Sequence, residues 1–203
     1  MNEENIDVAM LHLVAVDSDI AQAFGLLNSP APRHRPAGFE TFIRTVVGQQ
    51  ISTKVAEIIM IRLMELLPEC TAEGVLAVSD ESLRAVGLSY RKISYIKGLA
   101  EAVHSGQLDI EGLERLDNDE AIQIITGIRG FGRWSAEIYL MFSLQRQDVF
   151  PADDLAIRVA LGQLKGLNDK PTPKQARLMT EHWAPWRSVG ALFLWHYYRG
   201  APA

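Results

Sequence analysis

Two short stretches carry the residue types that could do chemistry. The first is Ile125-Thr126-Gly127-Ile128-Arg129-Gly130-Phe131-Gly132-Arg133-Trp134-Ser135-Ala136. About twenty residues later comes Val149-Phe150-Pro151-Ala152-Asp153-Asp154. Glycines at 130 and 132 permit positive φ and place no Cβ in the way. Such a turn can aim successive N–H groups outward at the start of the next helix. A helix N-terminus carries roughly half a positive charge, which suits a phosphate oxygen. The acid pair could supply a carboxylate that stabilises positive charge building on a reacting carbon. Either acid could equally cap a helix, where Asp is favoured. A bare Gly-x-Gly would fit an ordinary αα-hairpin turn; the longer string is much rarer.

These residues must be held by helices, because the apolar pattern is helical nearly throughout. Phe39, Phe42, Ile43, Val46 and Val47 recur at helical spacing, as do Val55, Ile58, Ile59, Leu63, Leu66 and Leu67 before Pro68. Ser79 starts a short helix that Gly87 stops, Ser89 caps the next, and Asp117 or Asn118 caps the one leading into the glycine turn. Ala136 to Phe142 reads as a buried helix, Asp153 or Asp154 opens another, Pro171-Thr172-Pro173 begins one more, and Arg187 to Tyr198 is the last. No window alternates as a strand does, and Val149-Phe150 is too short to build a sheet. The expectation is all-α, about ten helices, with residues 28–38 as an extended linker containing three prolines.

Composition narrows the classes. At 203 residues with 48% hydrophobic and 22% charged side chains, one compact domain or one domain with two lobes is expected. No apolar run is long enough for a membrane span, and the acidic N-terminus is unlike a secretory leader. A single cysteine, Cys70, excludes an intrachain disulfide, a four-cysteine zinc site and a cysteine-ligated cluster, and points to a cytoplasmic protein. The five histidines show no ligand spacing. A net charge of −5 argues against nucleic acid until its distribution is read. Residues 1–20 hold five acids and no Lys or Arg, and residues 101–120 hold seven acids and one Arg. Bases gather at Arg33/His34/Arg35, at Arg84/Arg91/Lys92/Lys97 and at Arg129/Arg133, so one basic face remains available.

The Gly127–Ala136 string, together with Pro151–Asp154 and Gly48-Gln49-Gln50-Ile51-Ser52, resembles the helix-hairpin-helix (HhH-GPD) DNA glycosylase superfamily, and its DNA-3-methyladenine glycosylase II type in particular. The resemblance covers roughly residues 30–200. It implies a two-lobed helical fold with a central cleft and no N-terminal β domain. It treats 1–203 as one unit, with lobes of 1–35 plus about 150–203 and of about 36–149. It implies a monofunctional enzyme that removes alkylated bases of the 3-methyladenine and 7-methylguanine class from double-stranded DNA, acting as a monomer. Alternatives are a hairpin protein that binds DNA structure without catalysis, or a glycosylase for oxidised or deaminated bases.

The resemblance also assigns roles. Asp154, the second of the pair, is the implied catalytic carboxylate, with Asp153 supporting or capping. At ~4 Å and an effective dielectric of ~20, a carboxylate stabilises a unit positive charge by about 4 kcal/mol, roughly a thousandfold in rate. Backbone-cutting relatives carry a lysine nucleophile where this chain has Trp134, and an indole cannot form an imine. Trp134, Trp195, Tyr139 and Phe39 are the implied base-pocket residues, Gln50 and Ile51 the wedge that fills the gap left by a flipped nucleotide, and Gly130, Gly132, Arg133 and Ser135 the phosphate contacts. Carbonyls of Thr126, Ile128 and Phe131 correspond to a monovalent cation site for Na+ or K+; no cofactor is otherwise required. Two departures stand out: Arg129 replaces the usual proline, and Ile138 stands where an aromatic follows Trp134 by one turn.

Overall fold

The computed structural model describes residues 1–200. Among them are twelve α-helices, two short 3-10 turns and no strand. Two helices more than expected arise because short segments divide: the N-terminal stretch breaks at Asp17, and residues 72–85 form two six-residue helices. The chain forms two compact units, residues 36–136 and residues 1–35 with 137–203, with the boundary inside a helix.

The middle unit contains α3 (Phe39–Gly48), α4 (Thr53–Leu66), α5 (Ala72–Ala77), α6 (Asp80–Ala85), α7 (Tyr90–His104), α8 (Asn118–Gly127) and the start of α9 (Arg133–Phe142). Five of these helices, α4 to α8, start where short polar side chains satisfy their first N–H groups. Ser52, Thr71, Ser79 and Ser89 cap α4 to α7, and Asp117 with Glu120 forms a capping box on α8. Phe42, Leu63, Val75, Leu83, Ile93, Ile96 and Leu99 form its core.

The terminal unit contains α1 (Glu3–Val16), α2 (Ser18–Phe24), the rest of α9, α10 (Leu155–Leu164), α11 (Pro173–Met179) and α12 (Arg187–Gly200). Helices α10 and α12 pack against each other, and α1 packs on α2 and α12. Gly190 lets α12 approach closely, because a Cβ there would collide with the buried Trp183 ring. Asp17 joins the N-terminal corner to the end of α10: its buried carboxylate caps α2 and accepts from Lys165 Nζ at 2.7 Å and from the Trp183 indole at 2.7 Å. His182 Nε2 lies 3.0 Å from the same carboxylate. Lys165 is the C-terminal cap of α10, whose other end is Asp154.

Candidate functional site

In the terminal unit, the carboxylate segment is fixed by the first turn of α12. Ser188 Oγ accepts the Val149 N–H at 2.9 Å and donates to the Arg146 carbonyl at 2.7 Å. The Arg187 guanidinium grips Asp148 through Nε at 2.6 Å and Nη2 at 2.8 Å, a two-pronged pairing that holds the Asp148 carboxyl below the usual range. Phe150 stands edge-on to Trp183. A tight turn follows, closed by the Asp154 N–H donating to the Pro151 carbonyl at 2.9 Å.

The turn delivers Asp154 as the N-cap of α10. Its Oδ1 accepts the Ile157 N–H at 3.1 Å and the Trp195 indole N–H at 3.3 Å. Both donors orient the carboxylate, one from the helix that it caps and one from α12. Asp153 turns away: its Oδ2 accepts from Arg177 Nη2 at 2.8 Å, and the same nitrogen reaches the buried Glu137 at 3.1 Å. The cap is therefore Asp154 and not Asp153, so capping and the implied chemistry fall on one residue. Sequence reading separated the two jobs because both acids precede an apolar helix.

Trp195 is half-buried on α12 and stacks on Phe142, with centroids 5.7 Å apart and planes inclined by 30°. Tyr139, on α9, is only 4% exposed. These two pocket candidates share the terminal unit with Asp154.

The other candidates lie in the middle unit. Gly130 turns the chain with φ of +99°, and a Cβ there would stand 2.5 Å from the Tyr95 ring, so both conformation and space call for glycine. Phe131 is buried and meets Phe42 of α3 edge-on at 5.4 Å. Gly132 and Arg133 are exposed at the start of α9, while Ser135 in its first turn is buried. Trp134 is 39% exposed, which separates it from the core tryptophan, Trp183. Arg129 turns toward α7, with its guanidinium 5.8 Å from the Tyr95 ring centroid and 3.5 Å from Ser94 Oγ. Phe39 is the half-buried first residue of α3.

Between α3 and α4, Gln50 is exposed in a left-handed conformation, φ 58°, with Ile51 half-buried beside it. Two side chains that the sequence reading left without these roles hold this loop. Gln49 Nε2 donates to the Gly130 carbonyl at 2.8 Å, tying loop to hairpin, and Lys92 Nζ donates to the Val47 carbonyl at 2.7 Å. Burial lowers the Lys92 pKa. Gln-Gln within an apolar run was the available signal for Gln49. Lys92 stood in the sequence only as one of a cluster of bases, which does not single it out. Cys70, half-buried, has its thiol pushed up to about 11 by burial and the nearby Glu40, which leaves it a poor nucleophile.

A family model described as the HhH-GPD superfamily base excision DNA repair protein matches residues 43–185, and the chain belongs to that family. Among curated relatives, it is 37% identical over 194 residues to DNA-3-methyladenine glycosylase 1 of Schizosaccharomyces pombe, covering 92% of this chain and 85% of that protein. It superposes with a TM-score of 0.83 on the S. pombe 3-methyladenine DNA glycosylase in complex with abasic DNA, at 36% identity, covering 95% of this chain and 97% of that one. A DNA-3-methyladenine glycosidase from Bacillus halodurans gives the same TM-score at 34% identity, over 94% of this chain and 88% of that one. No described helix is long and apolar enough to cross a membrane.

Proposed function

We propose that this protein is a monofunctional DNA glycosylase that hydrolyses the N-glycosidic bond of alkylated bases, of the 3-methyladenine and 7-methylguanine class, in base excision repair. The observation that carries the reading is Asp154: an N-cap carboxylate held by an indole N–H, on a chain that belongs to a base-excision family. The bond between C1′ and the base nitrogen breaks with its electron pair going to the base, which neutralises the charge that alkylation placed there. Positive charge then builds on the deoxyribose, and Asp154 stabilises it. Water bonds to C1′ and gives up its proton to solvent, leaving free base and an abasic site. A base that is cationic before cleavage departs neutral, so it needs no strong general acid. Trp134 cannot form an imine, so the backbone is not cut.

The α3–α4 loop with Gln50 and Ile51 fits the wedge role, since a left-handed Gln50 is presented outward and Gln49 braces the loop on the hairpin. Gly130 to Ser135 fit the phosphate-binding turn. The carbonyls of Thr126, Ile128 and Phe131 suit a monovalent ion, being an uncharged set at the end of α8, where the last carbonyls of a helix lack intrahelical donors. Of these, the Ile128 carbonyl also accepts the Phe131 N–H at 3.1 Å. A cytoplasmic monomer acting on double-stranded DNA completes the reading.

The test is release of bases from methylated duplex DNA by the wild type and by Asp154→Asn. Asparagine caps a helix about as well as aspartate, so the fold is kept while the charge is lost. The expected fall in single-turnover rate is roughly a thousandfold. Equal rates would remove Asp154 from the chemistry; no release by the wild type across alkylated, oxidised and deaminated bases would remove the glycosylase reading.

A further inference from the structure

The linker that precedes α3 is docked on the terminal unit, and its docking is specific. The Arg35 N–H donates to the Phe142 carbonyl at 2.9 Å, and Gln145 Nε2 donates to the Arg33 carbonyl at 3.3 Å. With the backbone pinned, both guanidinium groups lie over aromatic rings: Arg33 Cζ is 5.7 Å from the Trp195 ring centroid and Arg35 Cζ is 5.5 Å from that of Phe142. Those two rings are themselves stacked. Each of the two like charges is thus held over one ring of a stacked aromatic pair.

Ordinarily, neighbouring guanidinium groups in a folded protein are neutralised by carboxylates. Among the described residues, no carboxylate pairs with Arg33 or Arg35, and Arg199 at the end of α12 adds a third positive charge acting on Arg33. Burial first, and then repulsion from Arg199 and Arg35, lowers the Arg33 pKa; burial lowers that of Arg35. Cation–π contacts fix the position of such charges without cancelling them. What remains is two positioned guanidinium groups without a carboxylate partner, and arginine binds phosphate oxygens in two-pronged fashion.

We propose that Arg33 and Arg35 form an anion site for a phosphodiester of the DNA strand being repaired. The proposal rests on the glycosylase reading, because its floor ring, Trp195, is the residue that donates to Asp154. A phosphate held there would lie on the same unit as the implied catalytic carboxylate, adding a backbone anchor to that of the glycine hairpin. It also gives an acidic chain, net charge −5, a concentrated positive surface where the substrate is an anion.

The experiment measures equilibrium binding to an abasic-site duplex at several salt concentrations for the wild type, the double variant Arg33→Ala/Arg35→Ala and the charge-keeping Arg33→Lys/Arg35→Lys. Each lost phosphate contact lowers the slope of log K against log salt by about 0.9. The alanine pair is expected to flatten the slope by at least that much and the lysine pair to keep it. Loss of packing on Trp195 would weaken binding or slow base release but leave the slope alone, so an unchanged slope in the alanine pair overturns the proposal whatever happens to affinity. A thermal shift by inorganic phosphate, with wild-type slope retained in the alanine pair, would mark a site for the free anion and equally overturn a DNA contact. Base release from methylated DNA is read separately. An arginine-dependent slope without any release would keep the anion site and sink the glycosylase reading, and release with an arginine-independent slope would do the reverse.

Discussion

The indole N–H of Trp195 reaches Oδ1 of Asp154 across 3.3 Å, joining the middle of α12 to the N-terminus of α10. One carboxylate oxygen is thereby shared between a side-chain donor and the helix it caps. This arrangement fixes the side chain from two directions. Trp195 is thus a positioning residue for the carboxylate, whatever contact its ring makes with a base.

Replacing Trp195 by phenylalanine keeps an aromatic ring against Phe142 and removes the donor. A hydrogen bond to a charged group contributes about 1.5–3 kcal/mol, so the single-turnover rate of base release should fall roughly 10- to 100-fold. The salt dependence of abasic-duplex binding should be kept, since no positive charge is removed. An undiminished rate would show that the cap alone positions Asp154.

Asp154→Ala removes both the charge and the cap, whereas Asp154→Asn removes only the charge. The alanine variant should therefore lose about 1 kcal/mol of stability relative to asparagine. In a chain of this size that is about 2–4 °C in melting temperature, while both variants are equally impaired in base release. Equal melting temperatures would mean that the cap contributes nothing.

At Gly130, alanine meets two obstacles, the positive φ and the Tyr95 ring. The variant should lose at least about 1–2 kcal/mol and bind abasic DNA weakly. Adding Tyr95→Ala should relieve the collision but not the backbone strain, giving partial recovery in urea melts. Complete recovery would show that the φ requirement is unimportant.

Asp17 sets an acid limit on stability. Burial alone would raise its pKa, but hydrogen bonds from Lys165, Trp183 and the Ile20 N–H, with the Lys165 charge, hold it at about 2, below the ordinary 3.8. A carboxylate depressed on folding contributes stability that is full above its unfolded pKa and lost as pH falls through its folded one. The shift corresponds to about 2 kcal/mol. Urea melts should therefore show wild-type stability declining between about pH 4 and pH 2, and Asp17→Asn should flatten that part of the curve. An identical slope in both proteins would exclude Asp17 as the source.

The chain's local signals were sufficient for most of its helices, though not for the break at Asp17 or the division of residues 72–85. Capping residues, apolar spacing at 3.6 and the glycines of the turn act over three or four neighbours, so the helix class, the starts at Ser79, Ser89 and Asp117, and the hairpin could be read directly. The family string at 125–136 and the acids at 153–154 are likewise contiguous, and the family to which the chain belongs follows from them. Tertiary packing decided which acid faces which partner. Asp153 and Asp154 are alike in sequence; Arg177, 24 residues beyond the first, takes one, and Trp195, 41 residues beyond the second, takes the other. Gln49 and Gly130 lie 81 positions apart, and Arg33 finds Trp195 from the opposite end of the chain. Such pairings depend on the positions of helix axes after the cores have closed, and no periodicity along the chain encodes that distance.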